Sequence, residues 1–114
     1  NGIGCESCHG GNPSPAVAED PEAAMSPAAG YIGKPGRKEI PQLCARCHSD
    51  PAYIKKYNPA IPTGQLAVYR TSQHGERLFG KGDEKVAVCS DCHHAHGILA
   101  ASDSRSPVYP LNVP

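Results

Sequence analysis

All six cysteines of this 114-residue chain lie in one repeated pentapeptide, Cys-x-x-Cys-His. The three copies are CESCH at residues 5–9, CARCH at 44–48 and CSDCH at 89–93. They start 39 and 45 residues apart, too irregular for a stack of identical repeats. Whatever this chain folds into must place three such units.

The pentapeptide is the attachment signature of c-type haem. Two thiols on one helical turn reach the two vinyl groups of a porphyrin as thioethers, and the next residue projects its imidazole under the iron. The expected cofactors are therefore three haem c groups with their iron. Cys5, Cys8, Cys44, Cys47, Cys89 and Cys92 would be the attachment points, and His9, His48 and His93 the proximal ligands. Rival chemistries account for less. Zinc needs two cysteine pairs, or a pair with His-x3–5-His at short range, so three pairs leave one over. A disulfide framework allows 15 pairings of six cysteines and predicts no histidine at a fixed offset. A redox dithiol needs one pair in a βαβ setting, which is absent.

Composition agrees that side chains alone do not fill the interior. Leu, Ile, Val and Phe total 18 of 114 residues, Gly and Pro contribute 12 each, and there is no Trp. So little apolar bulk drifts toward disorder or a stapled fold. The 11 basic and 11 acidic residues balance, which argues against a nucleic-acid groove or a basic membrane-binding patch. No apolar run reaches the length of a membrane span. The first residues carry no signal-peptide pattern, so for an exported protein the numbering is that of a mature chain or a fragment.

The expected class is mostly irregular with a few short α-helices, haem-cored, with little or no β-sheet, in one domain over residues 1–114. Residues 10–42 read as loop with one helical turn near Pro21–Met25. PQLCARCHSD reads as a short helix with Pro41 near its start, and PAYIKKYNP as another, bracketed by Pro51 and Pro59. TGQLAVYRTSQHG is the best helix candidate: Thr63 caps it, Leu66, Tyr69 and Gln73 share a face, and Gly75 ends it. KVAVCSDCHHAHG starts extended and turns helical, and the tail ASDSRSPVYPLNVP reads as extended coil.

Three histidines remain as sixth ligands, His74, His94 and His96, matching demand for three bis-histidine haems. A ligating imidazole puts its Cα ~6–7 Å from iron, so two opposed ligands need Cα atoms ~12–13 Å apart. His94 is about 3.8 Å from His93, and His96 is at most ~11 Å away in a fully extended chain. Neither can close the iron of its own motif. With internal ligands only, His74 completes the third haem, while His94 and His96 divide the first and second in an order left open. Met25, the single thioether, is a lesser candidate whose ordinary use is haem packing or solvent exposure. Haem propionates would make the protein net acidic, about −3 to −6. Lys34, Arg37, Lys38, Lys55, Lys56, Arg70 and Arg77 are then candidate propionate partners.

At these segments the chain resembles the multihaem c-type cytochromes of anaerobically respiring bacteria and archaea. GIGCESCHG is similar to an interior-haem motif of larger members. YRTSQHG followed by VCSDCHHAHGI resembles their Ser-x-His-Gly helix end before a Cys-x-x-Cys-His-x-x-His unit, which implies His74 and His96 as distal ligands. The CHH doublet resembles small tetrahaem cytochromes, implying that His94 serves a different haem. The likeness covers about half the chain. No histidine follows CESCHG as it does in larger relatives, and the tail is similar to sequence that there runs on into another motif. The chain is thus expected to be truncated, or to reuse its end for docking.

Saturated irons leave no substrate position, so the expected function is electron transport rather than catalysis, along a short wire of close haems. Some members of the family polymerise, so an extracellular filament of copies is an expected assembly. The alternatives are a reductase of nitrogen or sulfur oxides, which needs an open iron, and a fragment of a larger cytochrome. Partners would be other redox proteins or further copies, with no nucleic acid. Attachment to reduced thiols by an export-side system places the protein outside the cytoplasm, in the periplasm, at the cell surface or in the extracellular space.

Overall fold

The computed structural model describes residues 3–17 and 19–114. Residue 18 of the expected loop and Gly2 of the GIGCESCHG segment lie outside them. Among the described residues there are seven short α-helices and no strand, the rest being turns and irregular chain. No helix among them is long and apolar enough to cross a membrane. The chain divides into two compact units, Asn1–Gly36 and Arg37–Pro114.

In the first unit, helix α1 (Cys5–His9) leads into a chain of capped turns rather than an unstructured loop. Ser14, Asp20 and Ser26 each precede a proline, and each side chain accepts a hydrogen bond from a backbone N–H two or three residues on. Proline suits the first helical position because its missing N–H would have no partner there. Cap-then-Pro at a spacing of six therefore produces a 3₁₀ turn at Pro15–Val17, helix α2 at Pro21–Ala24 and another 3₁₀ turn at Pro27–Ala29. The chain then returns to α1: Ile32 N donates to His9 O at 2.8 Å. The helical turn expected near Pro21–Met25 is present as α2.

The second unit opens with α3 (Ile40–His48), whose Pro41 lies in the first turn and is buried. Asp50 caps α4 (Pro51–Tyr57) through Ala52 N and Tyr53 N at 2.9 and 3.2 Å, and Asn58 ends it ahead of Pro59. Both helices stand where the sequence placed them.

Helix α5 (Gln65–Thr71) differs from expectation at both ends. Gly64, not Thr63, is its N-cap. It stops at Ser72, whose hydroxyl donates to Tyr69 O (2.6 Å) while accepting from Gly75 N (3.1 Å). One side chain thus closes α5 and opens α6 (Gln73–Gly75), a serine competing with the backbone ladder. Gln73 consequently leaves the face of Leu66 and Tyr69, which stay half-buried. Gly75 does not end a helix: it is buried, and the chain continues through a π-helical turn at Glu76–Gly80.

That turn delivers Leu78, fully buried at 0 % exposure, onto Val86 and Val88. Ile40, Tyr69 and Phe79 pack around this cluster, and Tyr69 OH donates to Ala87 O at 2.8 Å. With Ile54, these are the only buried large aliphatic side chains among the described residues. Helix α3 packs against α4, α5 and α7 (Cys89–His93).

The tail is not extended. Backbone bonds Asp103 N to Ala100 O, Ser106 N to Asp103 O, Tyr109 N to Ser106 O and Asn112 N to Tyr109 O, all 2.8–3.0 Å, form a ribbon of successive turns. Pro107 and Pro110 each follow a turn's first residue, the position for which their fixed φ is preset. Asn112 Nδ2 ties the ribbon to Ser104 O and to Ser106 O.

Candidate cofactor-attachment sites

Each Cys-x-x-Cys-His unit is helical: α1, the last turns of α3, and α7. Helical spacing puts the two cysteines of a unit on one face, a turn apart. All six thiols are free of disulfides, Cys5, Cys8 and Cys92 exposed and Cys44, Cys47 and Cys89 half-buried.

The third residue of each motif explains how the turn is held. α1 and α7 begin at the motif, so their first N–H groups need acceptors. Ser7 Oγ accepts from Gly4 N (3.2 Å) and Asp91 Oδ2 from Val88 N (2.8 Å). In α3 the motif closes the helix, and the same place carries Arg46, a cation suited to a helix C-terminus.

Asp91 is itself gripped. Arg37 donates through Nη2 to Asp91 Oδ2 (2.5 Å) and to Val86 O (2.8 Å), and through Nε to Glu84 O (2.7 Å). One guanidinium thus pins the approach strand of chain and the third motif together. Arg37, expected as a candidate propionate partner, directs its donors to this protein acceptor set. Arg77, another, pairs with Asp83. The Arg37 hydrogen bond, then the Val88 N–H, holds the Asp91 carboxyl below the usual aspartate range. A depressed carboxyl stabilises the fold fully above its unfolded pKa, near 4, and loses that contribution as pH falls through its folded value. The melting temperature should therefore decline below about pH 4, and Asp91→Asn should remove part of that acid step.

His9 Nδ1 lies 2.7 Å from Gly33 O. A carbonyl only accepts, so Nδ1 carries a hydrogen, and in the neutral ring that leaves the lone pair on Nε2, the tautomer a metal-ligating histidine needs. His48 and His93 are exposed at their helix ends. Cys5 and His9 also line a cavity of about 260 Å³ with Met25 and Tyr31.

In the second unit the structure brings two motifs together. The Cys44 and Cys89 thiols share a hydrogen bond, which outweighs burial and lowers Cys89 to about 7. The expected distal ligands His74, His94 and His96 are exposed. Among the described residues no group of three or more His, Cys, Asp or Glu side chains is placed to hold a metal ion. His94 has φ +63° and ψ 171°, the one non-glycine with positive φ among the described residues. The matching position after His9 is Gly10, at φ +69° and ψ −159°. A Cβ there costs about 1–3 kcal/mol, of which glycine's greater unfolded freedom returns ~0.5–1. His94→Gly should therefore stabilise the haem-free chain by about 1 kcal/mol in urea unfolding.

The residues fit a covalently held haem: paired thiols on a turn, a histidine Nε2 available for ligation, and large apolar side chains left exposed, among them Ile3, Met25, Ile32, Tyr57 and Ile98. No protein family, curated protein or solved structure matches the chain.

Proposed function

We propose that this chain is an electron-transfer protein of the multihaem c-type cytochrome kind, holding three haems through its three motifs. The observation that carries the reading is that every cysteine sits, outside any disulfide, in a helical Cys-x-x-Cys-His turn. The His9 tautomer supports it. When bound, such a group supplies one-electron exchange between ferric and ferrous iron, taking the electron from a reduced partner protein and giving it to an oxidised one.

The chain's own part is attachment, ligation and spacing. Cys5 and Cys8, Cys44 and Cys47, and Cys89 and Cys92 would form the thioethers. His9, His48 and His93 would ligate from the proximal side, with His74, His94 and His96 as candidates for the distal side. The Cys44–Cys89 contact would bring the attachment points of the second and third groups together, and so favour electron exchange between them. Location outside the cytoplasm follows from the attachment chemistry. Assembly of copies into a filament is the extended form of this reading: filaments under the electron microscope support it, and monomers at high concentration remove it.

Electron paramagnetic resonance of the oxidised, haem-loaded protein tests the carrier reading. Low-spin signals throughout are expected. High-spin signals would mark an open iron and favour the reductase alternative.

A further inference from the structure

We propose that Met25 is the sixth ligand of the iron held by the first motif, replacing the His94 or His96 that the ligand count first suggested. The proposal rests on the haem reading above.

The compact unit Asn1–Gly36 contains one histidine, His9. A second axial ligand from within it must be another donor. Tyr31 and Lys34 would each have to give up a proton before they could ligate. A thioether is neutral and ligates through a sulfur lone pair with no proton to release, and Met25 is the only methionine of the chain.

Geometry brings it to the site. The cavity of about 260 Å³ is lined by Cys5, His9, Met25 and Tyr31 among others, and its wall is largely apolar although Glu6 and Asn12 also reach it. An attachment thiol, a proximal imidazole and the thioether therefore meet around one space suited to an apolar ring.

The backbone fixes this meeting. Asn12 N donates to Ala24 O at 2.9 Å, which staples the end of α2 against the turn that follows His9. Met25 N donates to Pro21 O at 2.9 Å, closing α2 at that residue. Met25 is nevertheless 51 % exposed, so core packing does not explain its placement. With Met25 on the first iron, His74, His94 and His96 serve the two irons of Arg37–Pro114, with one imidazole left over.

The test uses the haem-loaded full chain, with haem counted by pyridine haemochrome. Wild type should show three haems, the long-wavelength thioether-to-ferric charge-transfer band, and one haem of higher potential, because thioether ligation favours ferrous iron. Met25→Leu should abolish the band and turn one ferric haem of three high-spin. Met25→His should abolish the band, keep all three low-spin and move the high-potential component down to the others. Three haems with no such band in wild type, or a Met25→Leu protein spectrally identical to wild type, overturns the assignment. Fewer than three haems in wild type overturns the haem reading itself.

Discussion

Gly75→Ala is expected to be the most damaging single-methyl change in Arg37–Pro114. A Cβ there would stand 2.0 Å from Tyr69 O, 2.7 Å from Tyr69 C and 2.8 Å from Arg70 Cα. All three are backbone atoms, which cannot swing aside as a side chain would. Relief requires α5 and α6 to separate, and that pulls Tyr69 from its bond to Ala87 and disturbs Leu78. Overpacking of this kind costs about 1–3 kcal/mol, and rigid neighbours put this case at the upper end. For a unit of this size that lowers the melting temperature by roughly 10 °C or more. Thermal unfolding followed by far-ultraviolet circular dichroism measures it. A shift of a degree or two would mean that the close approach of α6 to α5 is wrong.

The second large effect is chemical. In the haem-free chain, the Cys44 and Cys89 thiols are already in hydrogen-bond contact, and Cys89 titrates at about 7. Near neutral pH a substantial fraction of Cys89 is thiolate, the form that attacks a disulfide. With oxidised glutathione, Cys89 is expected to take one glutathione and Cys44 to displace it. That sequence leaves a Cys44–Cys89 disulfide and two reduced glutathiones. The second and third motifs would each lose a thiol, and subsequent haem loading should fall to the first motif alone. Peptide mapping should find the Cys44–Cys89 crosslink first, and reduction should restore loading. Crosslinking within a motif, Cys44 to Cys47 or Cys89 to Cys92, would contradict the contact between α3 and α7.

Much of the local structure could be read from residue types. Asp50-Pro51 announces α4 and Pro41 the start of α3, because a cap and a proline act on their own neighbours. The same logic gives the turns after Ser14 and Ser26, beside the one expected near Pro21–Met25. The structure departs from the residue-type reading at Gly75, at Ser72 and in the tail. Gly75 looks like a helix stop, yet it is glycine because the Tyr69 carbonyl leaves no room for a Cβ. Ser72 looks like one helical residue among many, yet its hydroxyl bonds end one helix and begin another. Three prolines suggest an extended tail, but two of them preset turns that the backbone completes.

The site divides the same way. Spacing alone marks the candidate thiols and histidines, since the motif is five consecutive residues. The grip of Arg37 on Asp91, the bond between Cys44 and Cys89 and the cavity shared by His9 and Met25 join residues far apart in sequence. No local pattern encodes them.

Intact mass spectrometry of the denatured protein, produced with an export-side haem-attachment system, tests the central claim most directly. Thioether bonds survive denaturation, so the polypeptide is expected to be heavier than the bare 114-residue chain by three haem groups. The mass of the bare polypeptide, with any haem lost on unfolding, would contradict the account.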